Sequence, residues 1–286
     1  MTKFDIWTEL KLEIVRDYAK EYSKILKANH FHHVYIDAFA GPGLHISKLS
    51  GEFIQGSPLN ALLIDPPFKE FFFIDIDSEK TDHLRRLVGA RKNAHVFPGD
   101  CNTVLMRDVF PQVRWEDRRR GLCLLDPYGV HMEWKVVAEA GKLKTIDMFL
   151  NFPVMDMNRN SLWRQPEKVR PSDVHRLNSF WGDDSWRKIV YRTEQTLFGP
   201  EEEKQENAVV VNAFCRRLKD VAGFKYVARP LPMRNSRRAV VYYLLFASQK
   251  LVAKNILEYI FQKYEKRGMR EWPSQALSGP NPPGTP

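Results

Sequence analysis

The feature that most constrains the fold is a series of apolar runs that each end in an acidic residue. Residues 35–37, 73–75 and 124–126 follow this pattern, and segments with helical spacing of apolar residues separate them. Apolar runs without alternation are typical of strands that are buried on both faces of a parallel sheet. Because strand and helix alternate five times, the sequence predicts a doubly wound, mostly parallel α/β sheet.

The element boundaries follow from apolar spacing and turn residues. Helices are predicted over residues 5–28, 57–64, 78–90, 101–110, 133–141, 202–222 and 250–266. Strands are predicted over residues 34–37, 71–76, 95–97, 122–126 and 145–152, with an antiparallel edge pair over 224–230 and 239–247. Ser57 suits an N-cap and Pro58 the first helical position, and residues 44–56 are expected to form a loop before them.

The alternation breaks between residues 156 and 200, where three tryptophans and many charged residues occur with little strand character. We therefore predict an α/β domain over residues 1–155 and 201–268, with a helical insertion over residues 156–200. Residues 269–286 are rich in Pro, Gly and Ser, and this composition predicts a disordered C-terminal tail.

The net charge of +9 is unevenly distributed along the chain. Residues 1–156 carry 21 Lys/Arg and 22 Asp/Glu, a net charge of −1, whereas residues 157–286 carry 23 and 13, a net charge of +10. A basic surface favours a polyanionic partner such as nucleic acid, but a solubilising surface charge explains the excess equally well at this point. Arg234 and Arg237, beside the predicted edge pair, are candidate substrate-binding residues.

The three cysteines, Cys101, Cys123 and Cys215, lack the spacing of metal ligands or of a disulfide framework. We therefore expect a reducing, cytoplasmic environment and no metal site. The N-terminus lacks the apolar core of a signal peptide, and no apolar run approaches the roughly 20 residues of a membrane helix. No membrane partner is expected, and the oligomeric state stays open.

The turn after the first strand, residues 37–43, contains Gly41 and Gly43 and lets a ligand approach the backbone. Asp75 or Asp77 follows the second strand, where a carboxylate can accept hydrogen bonds from both hydroxyl groups of a ribose. Asp75 is the better candidate because Asp77 suits an N-cap. Asp100, after the third strand, is placed to accept the amino hydrogens of an adenine.

Asp37 ends the first strand, where its carboxylate can orient the turn and meet a cationic group. A dinucleotide would need a third glycine at the start of the next helix, and a nucleoside triphosphate would need a Gly-Lys-Ser/Thr loop; the sequence has neither. The pattern favours S-adenosylmethionine, whose sulfonium and ammonium groups are positive. Each aspartate taken singly is explained as well by a cap or turn, so the prediction depends on their order.

Residues 37–43 resemble the glycine-rich first motif of class I S-adenosylmethionine-dependent methyltransferases. That resemblance implies a Rossmann-like methyltransferase fold, with cofactor contacts from Asp37, Phe39, Gly41 and Gly43. The chain is also similar to the three-Cys-motif partner (TcmP) family over roughly residues 10–250. The motifs are Leu10-Lys11-Leu12, residues 37–43, Gly56-Ser57-Pro58, Gly99-Asp100, residues 125–129, Phe180-Trp181-Gly182 and Phe246-Ala247-Ser248. The family name implies a protein partner with a three-cysteine motif, and the resemblance implies no particular substrate.

Asp126-Pro127-Tyr128-Gly129 ends the fourth strand, beside the expected crevice. Methyl transfer is an in-line displacement that needs an aligned nucleophile. For an exocyclic amine, Asp126 and the carbonyl before Pro127 would accept the hydrogens, and Tyr128 would stack on the base. The segment resembles the Asp/Asn-Pro-Pro-Tyr/Phe motif of amino-methyltransferases but has one proline. It also resembles the Asp-Pro-Phe/Tyr-Gly motif of tRNA guanine-N2 methyltransferases, so the target atom stays open.

Asn151, at the end of the fifth strand, is a further candidate for the substrate side. The sequence thus predicts a methyltransferase that uses S-adenosylmethionine and acts on an RNA or DNA base. Two alternatives stay open. The same chemistry would serve a small molecule or a protein, and a non-catalytic module with the methyltransferase fold would bind another protein.

Overall fold

The structure, a computed structural model, describes residues 3–4, 6–47, 52–196, 199–235 and 237–271. In these residues the helices are α1 (Ile6–Ala28), α2 (Ser57–Leu62), α3 (Ser78–Val88), α4 (Cys101–Val104), α5 (Trp134–Leu143), α6 (Val154–Asn160), α7 (Pro171–Trp181), α8 (Trp186–Val190), α9 (Asn207–Asp220) and α10 (Leu251–Glu271). The strands are β1 (Lys3–Phe4), β2 (His32–Asp37), β3 (Leu44–Ser47), β4 (Phe53–Gln55), β5 (Glu70–Asp75), β6 (Ala94–Pro98), β7 (Arg119–Leu125), β8 (Ile146–Phe152), β9 (Tyr191–Thr196), β10 (Gly199–Lys204), β11 (Tyr226–Val227), β12 (Leu231–Arg234) and β13 (Val240–Ser248).

The central sheet has the strand order β11-β13-β8-β7-β2-β5-β6, and β12 pairs with β13 as well. From β6 to β8 all neighbouring strands are parallel, whereas β13 is antiparallel to β8, β11 and β12. The prediction of a doubly wound, mostly parallel sheet with an antiparallel pair at one edge is therefore confirmed.

Two helical layers cover the sheet, because successive side chains of a strand point to opposite faces. In β2, Val34 and Ile36 pack into a core with α4, α5 and α9, whereas Tyr35 packs into a second core with α1, α3 and α10. Burial on both faces explains why these strands are apolar at almost every position.

The segment 156–200 is only partly helical. It contributes α7 and α8, as expected, but β9 and β10 form an antiparallel hairpin that the sequence did not indicate. The residues of β9 read Tyr-Arg-Thr-Glu-Gln-Thr, so no apolar alternation marks the strand. Because β10 extends to Lys204, the helix predicted over residues 202–222 begins only at Asn207.

Residues 44–56 are not a plain loop, since β3 pairs with β4 and also with β1. Strands of three or four residues are too short to show a period in the sequence. The N-cap of α2 is Gly56 rather than Ser57, which is the first helical residue.

The antiparallel edge extends further than predicted, because β12 occupies part of the expected connection over residues 231–238. Pro232 made a strand improbable from sequence, but an edge strand tolerates proline. At the C-terminus α10 continues to Glu271, beyond the predicted start of the tail at residue 269. The rest of that predicted tail lies outside the described residues.

Close packing between α5 and the turn after α9 gives a test of the fold. A Cβ atom on Gly141 would stand 1.9 Å from the carbonyl oxygen of Ala222. Alanine normally favours a helix over glycine by about 1 kcal/mol, yet overpacking costs about 1–3 kcal/mol. We expect Gly141→Ala to lower the free energy of unfolding by about 2 kcal/mol in urea denaturation. Lys142→Ala, at the neighbouring exposed position, should change it by less than about 0.5 kcal/mol, and equal effects of the two variants would contradict this packing.

Candidate active site

The carboxyl ends of the parallel strands meet at one edge of the sheet, and a cleft of about 510 Å³ opens there. Its wall includes seven of the residues predicted from sequence. They are Phe39, Gly41, Asp75, Asp126, Pro127, Tyr128 and Asn151. The structure therefore brings the first turn, the end of the second strand, the predicted catalytic segment and Asn151 to one cavity.

Asp75 connects two turns at the floor of the cleft. Its Oδ2 accepts a hydrogen bond from the backbone N–H of Gly41 at 2.9 Å, and its Oδ1 accepts one from the N–H of Asp77, also at 2.9 Å. Gly41 has φ +63°, a conformation that favours glycine. Each carboxylate oxygen has a second lone pair, so Asp75 is held in a fixed orientation and can still accept hydrogen bonds from a ligand.

Asp37 lies fully buried at the end of β2. Its Oδ1 accepts a bond from the N–H of Phe39 at 3.3 Å, while Oδ2 has no hydrogen-bond partner among the residues that the structure describes. Burial raises the pKa of this carboxyl to about 7, against the opposing effect of the hydrogen bond from Phe39. Asp37 is thus a buried acid that a nearby cation would ionise.

Besides the buried Asp37, three predicted cofactor residues lie outside the wall of the cleft. Asp77 caps α3 and accepts from the N–H groups of Glu79 and Lys80, and Asp100 caps α4 and accepts from the N–H of Thr103. The carbonyl of Gly43 accepts from the N–H of Gly56 at 2.7 Å and so fastens the first turn to the start of α2. In this structure the three residues shape the turns, and direct ligand contacts by them stay predictions.

Asp126 forms an ion pair with Lys11, a residue of α1 that the sequence reasoning did not assign to the site. The Lys11 side chain is 4% exposed, and its ammonium group also lies 5.7 Å from the ring centre of Tyr242. Lys11 occupies the same helical face as Ile14 and Tyr18. A lysine within an apolar stripe was the available sign that this helix carries a buried charge.

His45, on β3, is a second residue that was missed. It lines the cleft, and its imidazole stands beside Gly41 and Gly56, where a Cβ atom on Gly56 would approach it to 2.9 Å. Burial and, secondarily, the charge of Lys11 lower the pKa of His45 to about 4. The ring is therefore neutral at physiological pH and fills the space that the two glycines leave.

The opposite wall comes from the turn after β7 and from α6. Tyr128 is 76% exposed at the mouth. Gly129 has φ +105°, and a Cβ atom there would lie 2.5 Å from the Asp156 carboxylate. Asp156 and Arg159 line the cleft from α6. Both follow the fifth strand, and no motif marked Asp156 in the sequence.

The predicted substrate residues Arg234 and Arg237 do not line the cleft, but they belong to the β12–β13 connection at the same edge of the sheet. Val241 and Tyr242, just after this connection, do line it. Arg234 donates to the carbonyl of Arg238 at 2.9 Å. We call Arg159, Arg234, Arg237 and Arg238 the basic rim; no ion pair with a carboxylate is found for them within the described residues.

The tryptophans of the 156–200 segment divide into two groups. Trp181 and Trp186 are buried in the core, whereas Trp163 is 41% exposed. Its indole N–H donates to the carbonyl of Arg159 at 2.8 Å, so an exposed aromatic ring lies beside the rim.

Within the described residues, no group of three or more His, Cys, Asp or Glu side chains is arranged to hold a metal ion. No helix among them is long and apolar enough to span a membrane.

No protein-family model matches the sequence, and no curated protein is significantly similar to it. Among solved structures, the chain is similar to protein LPL1258 from Legionella pneumophila, assigned to the family model DUF519, with a TM-score of 0.53 and 11% identity over 89% of this chain and 91% of that chain.

Two further similar structures are a putative S-adenosylmethionine-dependent methyltransferase from Listeria monocytogenes and a putative methyltransferase from Thermobifida fusca. The first has a TM-score of 0.41 and 11% identity over 81% of this chain and 99% of that chain. The second has a TM-score of 0.39 and 12% identity over 83% and 80%. At 11% identity the likeness to LPL1258 concerns the fold alone, which here is the doubly wound, mostly parallel sheet with an antiparallel edge that the sequence predicted.

The buried acid at the end of β2 gives a pH-dependent test. Because the folded-state pKa of Asp37 lies near 7, above the ordinary 3.8, its contribution to stability is complete below about pH 4 and is lost as the pH rises through 7. We therefore expect the effect of Asp37→Asn on the free energy of unfolding of the ligand-free protein, relative to the wild type, to be more favourable at pH 8 than at pH 5. The difference should be on the order of 2 kcal/mol. Denaturant unfolding at the two pH values measures this difference. Asp220→Asn, at an exposed position, is the control, and the same pH response in both variants would contradict the assignment.

Proposed function

We propose that this protein is an S-adenosylmethionine-dependent methyltransferase whose acceptor is a nucleic acid. The observation that carries the cofactor assignment is the Asp75 carboxylate, fixed by Gly41 N–H at 2.9 Å on the floor of the cleft. A carboxylate at the end of the second strand, beside a glycine turn, suits a ribose diol. We also propose, from the sequence resemblance, that the chain is related to the three-Cys-motif partner family and binds a protein that carries a three-cysteine motif.

The residues present fit S-adenosylmethionine in two further respects. The cofactor carries two positive groups; Asp75 and Asp126 line the cleft, and Asp37, at the end of β2, has a buried oxygen without a hydrogen-bond partner among the described residues. A volume of about 510 Å³ lies within the usual range for small-molecule sites, about 300–1,000 Å³. When bound, the cofactor supplies an electrophilic methyl group.

The chain's own residues then have distinct tasks. Asp75 and the 37–43 turn would hold the nucleoside and the amino-acid part, whereas Asp126, Pro127 and Tyr128 would face the acceptor. Lys11 fixes the Asp126 carboxylate through a nearly buried ion pair. Such preorganisation aligns the acceptor for in-line attack, which is the main requirement of this reaction.

Nucleic acid is favoured as acceptor by the basic rim. Some basic side chains near the other strands pair with carboxylates, for example Lys80 with Asp77 and Arg119 with Glu70. The rim arginines lack such partners in the described structure, while Trp163 offers an exposed ring beside Arg159. Unpaired guanidinium groups and an exposed aromatic ring next to a cleft match phosphate contact and base stacking.

Radiolabelled methyl transfer tests the activity. We expect the full chain to transfer tritiated methyl groups from S-adenosylmethionine to total RNA or DNA, and Asp126→Ala to lower the rate at least about 100-fold. Asp75→Ala should weaken cofactor binding at least about tenfold in calorimetry, which corresponds to about 1.4 kcal/mol. Transfer to protein alone would contradict the acceptor, and no binding by the intact protein would contradict the cofactor.

The rim has its own prediction. Arg234→Ala combined with Arg237→Ala should weaken nucleic-acid binding and reduce the slope of log K against log salt by up to about 2. Calorimetric binding of S-adenosylmethionine should not change. Arg107→Ala, which removes an exposed arginine paired with Asp108, is the matched control. An unchanged salt slope in the double variant would show that the rim does not contact phosphates.

A further inference from the structure

Asn151 lies in the wall of the cleft with an unsatisfied amide. The residue is 8% exposed, and its Oδ1 atom is buried without a hydrogen-bond partner among the described residues. An unpaired buried carbonyl oxygen destabilises a fold, because it has lost its hydrogen bonds to water and gained none in return. Native structures rarely leave such an atom unpaired, so a ligand with a hydrogen-bond donor is the expected partner of Asn151.

Asn151 and Asp126 lie next to each other on the adjacent segments of β8 and β7. Leu125 of β7 is in register with Leu150 of β8, so the next residue on each strand is Asp126 and Asn151. Neighbouring strands lie about 4.8 Å apart, and in-register residues share a face of the sheet. The carboxylate and the amide therefore project to the same side, which is the side of α1 and Lys11.

The ion pair leaves one carboxylate oxygen available. Lys11 contacts Oδ2 of Asp126, and the other oxygen, with the Oδ1 atom of Asn151, makes two hydrogen-bond acceptors side by side. This pair matches the two hydrogens of an amino group better than the single hydrogen of a hydroxyl.

Other acceptor atoms fit the described cleft less well. A pyrimidine ring carbon needs a thiolate nucleophile to activate it, but all three cysteines are buried and none lines the cleft. A hydroxyl offers a single hydrogen, so one of the two acceptor oxygens would stay without a partner. A neutral amine needs no base before it attacks.

We infer that the methyl acceptor is the exocyclic amine of a nucleobase, and that Asp126 and Asn151 accept its two N–H groups. This inference rests on the proposed function. The lone pair of the amine nitrogen forms the new N–C bond while the methyl–sulfur bond breaks and leaves its electron pair on sulfur. The nitrogen then releases one proton to Asp126, which passes it to water.

Identification of the product tests the target atom. RNA and DNA methylated by the full chain are digested to nucleosides and analysed by mass spectrometry. We expect a nucleoside methylated on its exocyclic amine. Methylation on a ribose oxygen, a ring carbon or a ring nitrogen would overturn this inference and leave the proposed function intact, whereas no methylated nucleoside at all would overturn both.

Binding tests the role of Asn151 without turnover. Two unmethylated oligonucleotides are compared. One carries the base that the protein methylates, with its amino group, and in the other a hydrogen atom replaces that amino group. The protein should bind the amino form about tenfold more tightly, and Asn151→Leu should abolish that difference. Asn151→Asp, which keeps an acceptor oxygen, should retain it, and S-adenosylmethionine binding shows that each variant is folded. If Asn151→Leu keeps the tenfold preference, or Asn151→Asp loses it, Asn151 does not read the amine.

Discussion

The candidate site depends on the parallel pairing of β7 with β2 on one side and with β8 on the other. Asp37 is in register with Leu124, and Leu125 with Leu150, so the ends of β2 and β7 lie level with the C-terminal part of β8. A slip of one residue would turn every side chain of β7 to the opposite face. Asp126 would then point away from α1, toward the core packed under α5. The hydrogen bonds of the sheet therefore determine which groups can meet a ligand.

The Lys11–Asp126 pair joins this sheet edge to the first helix. Removing one member of a buried ion pair costs about 3–5 kcal/mol, because the other charge stays behind without compensation. α1 also packs against α10, where Asp17 accepts bonds from Lys263 and Tyr264 at 2.9 and 3.0 Å. The helix thus stabilises the fold and orients a carboxylate of the cleft, so substitutions in α1 affect stability and site geometry together.

The sequence was most informative where a residue's position is fixed by regular structure. Apolar runs located β2, β5, β7 and β8, and the acidic residue after each run located Asp75 and Asp126, because parallel strands end at the same edge. Lys11, His45 and Asp156 were not recognised, since they reach the cleft from elements whose position depends on tertiary packing. The polar hairpin of β9 and β10 was missed because its strands show no apolar alternation. Asp77 shows that one carboxylate position suits both a cap and a ligand contact.

The position of β13 has a consequence for how the protein is made. This strand is the last one in the described chain, yet it lies between β8 and the edge formed by β11 and β12. Until it has left the ribosome, β8 presents an unpaired and almost wholly apolar edge, Ile-Asp-Met-Phe-Leu-Asn-Phe. Exposed edges of this kind recruit other strands and promote aggregation. Nascent or truncated chains that end before Val240 therefore leave this edge of β8 open to pairing with strands of other chains.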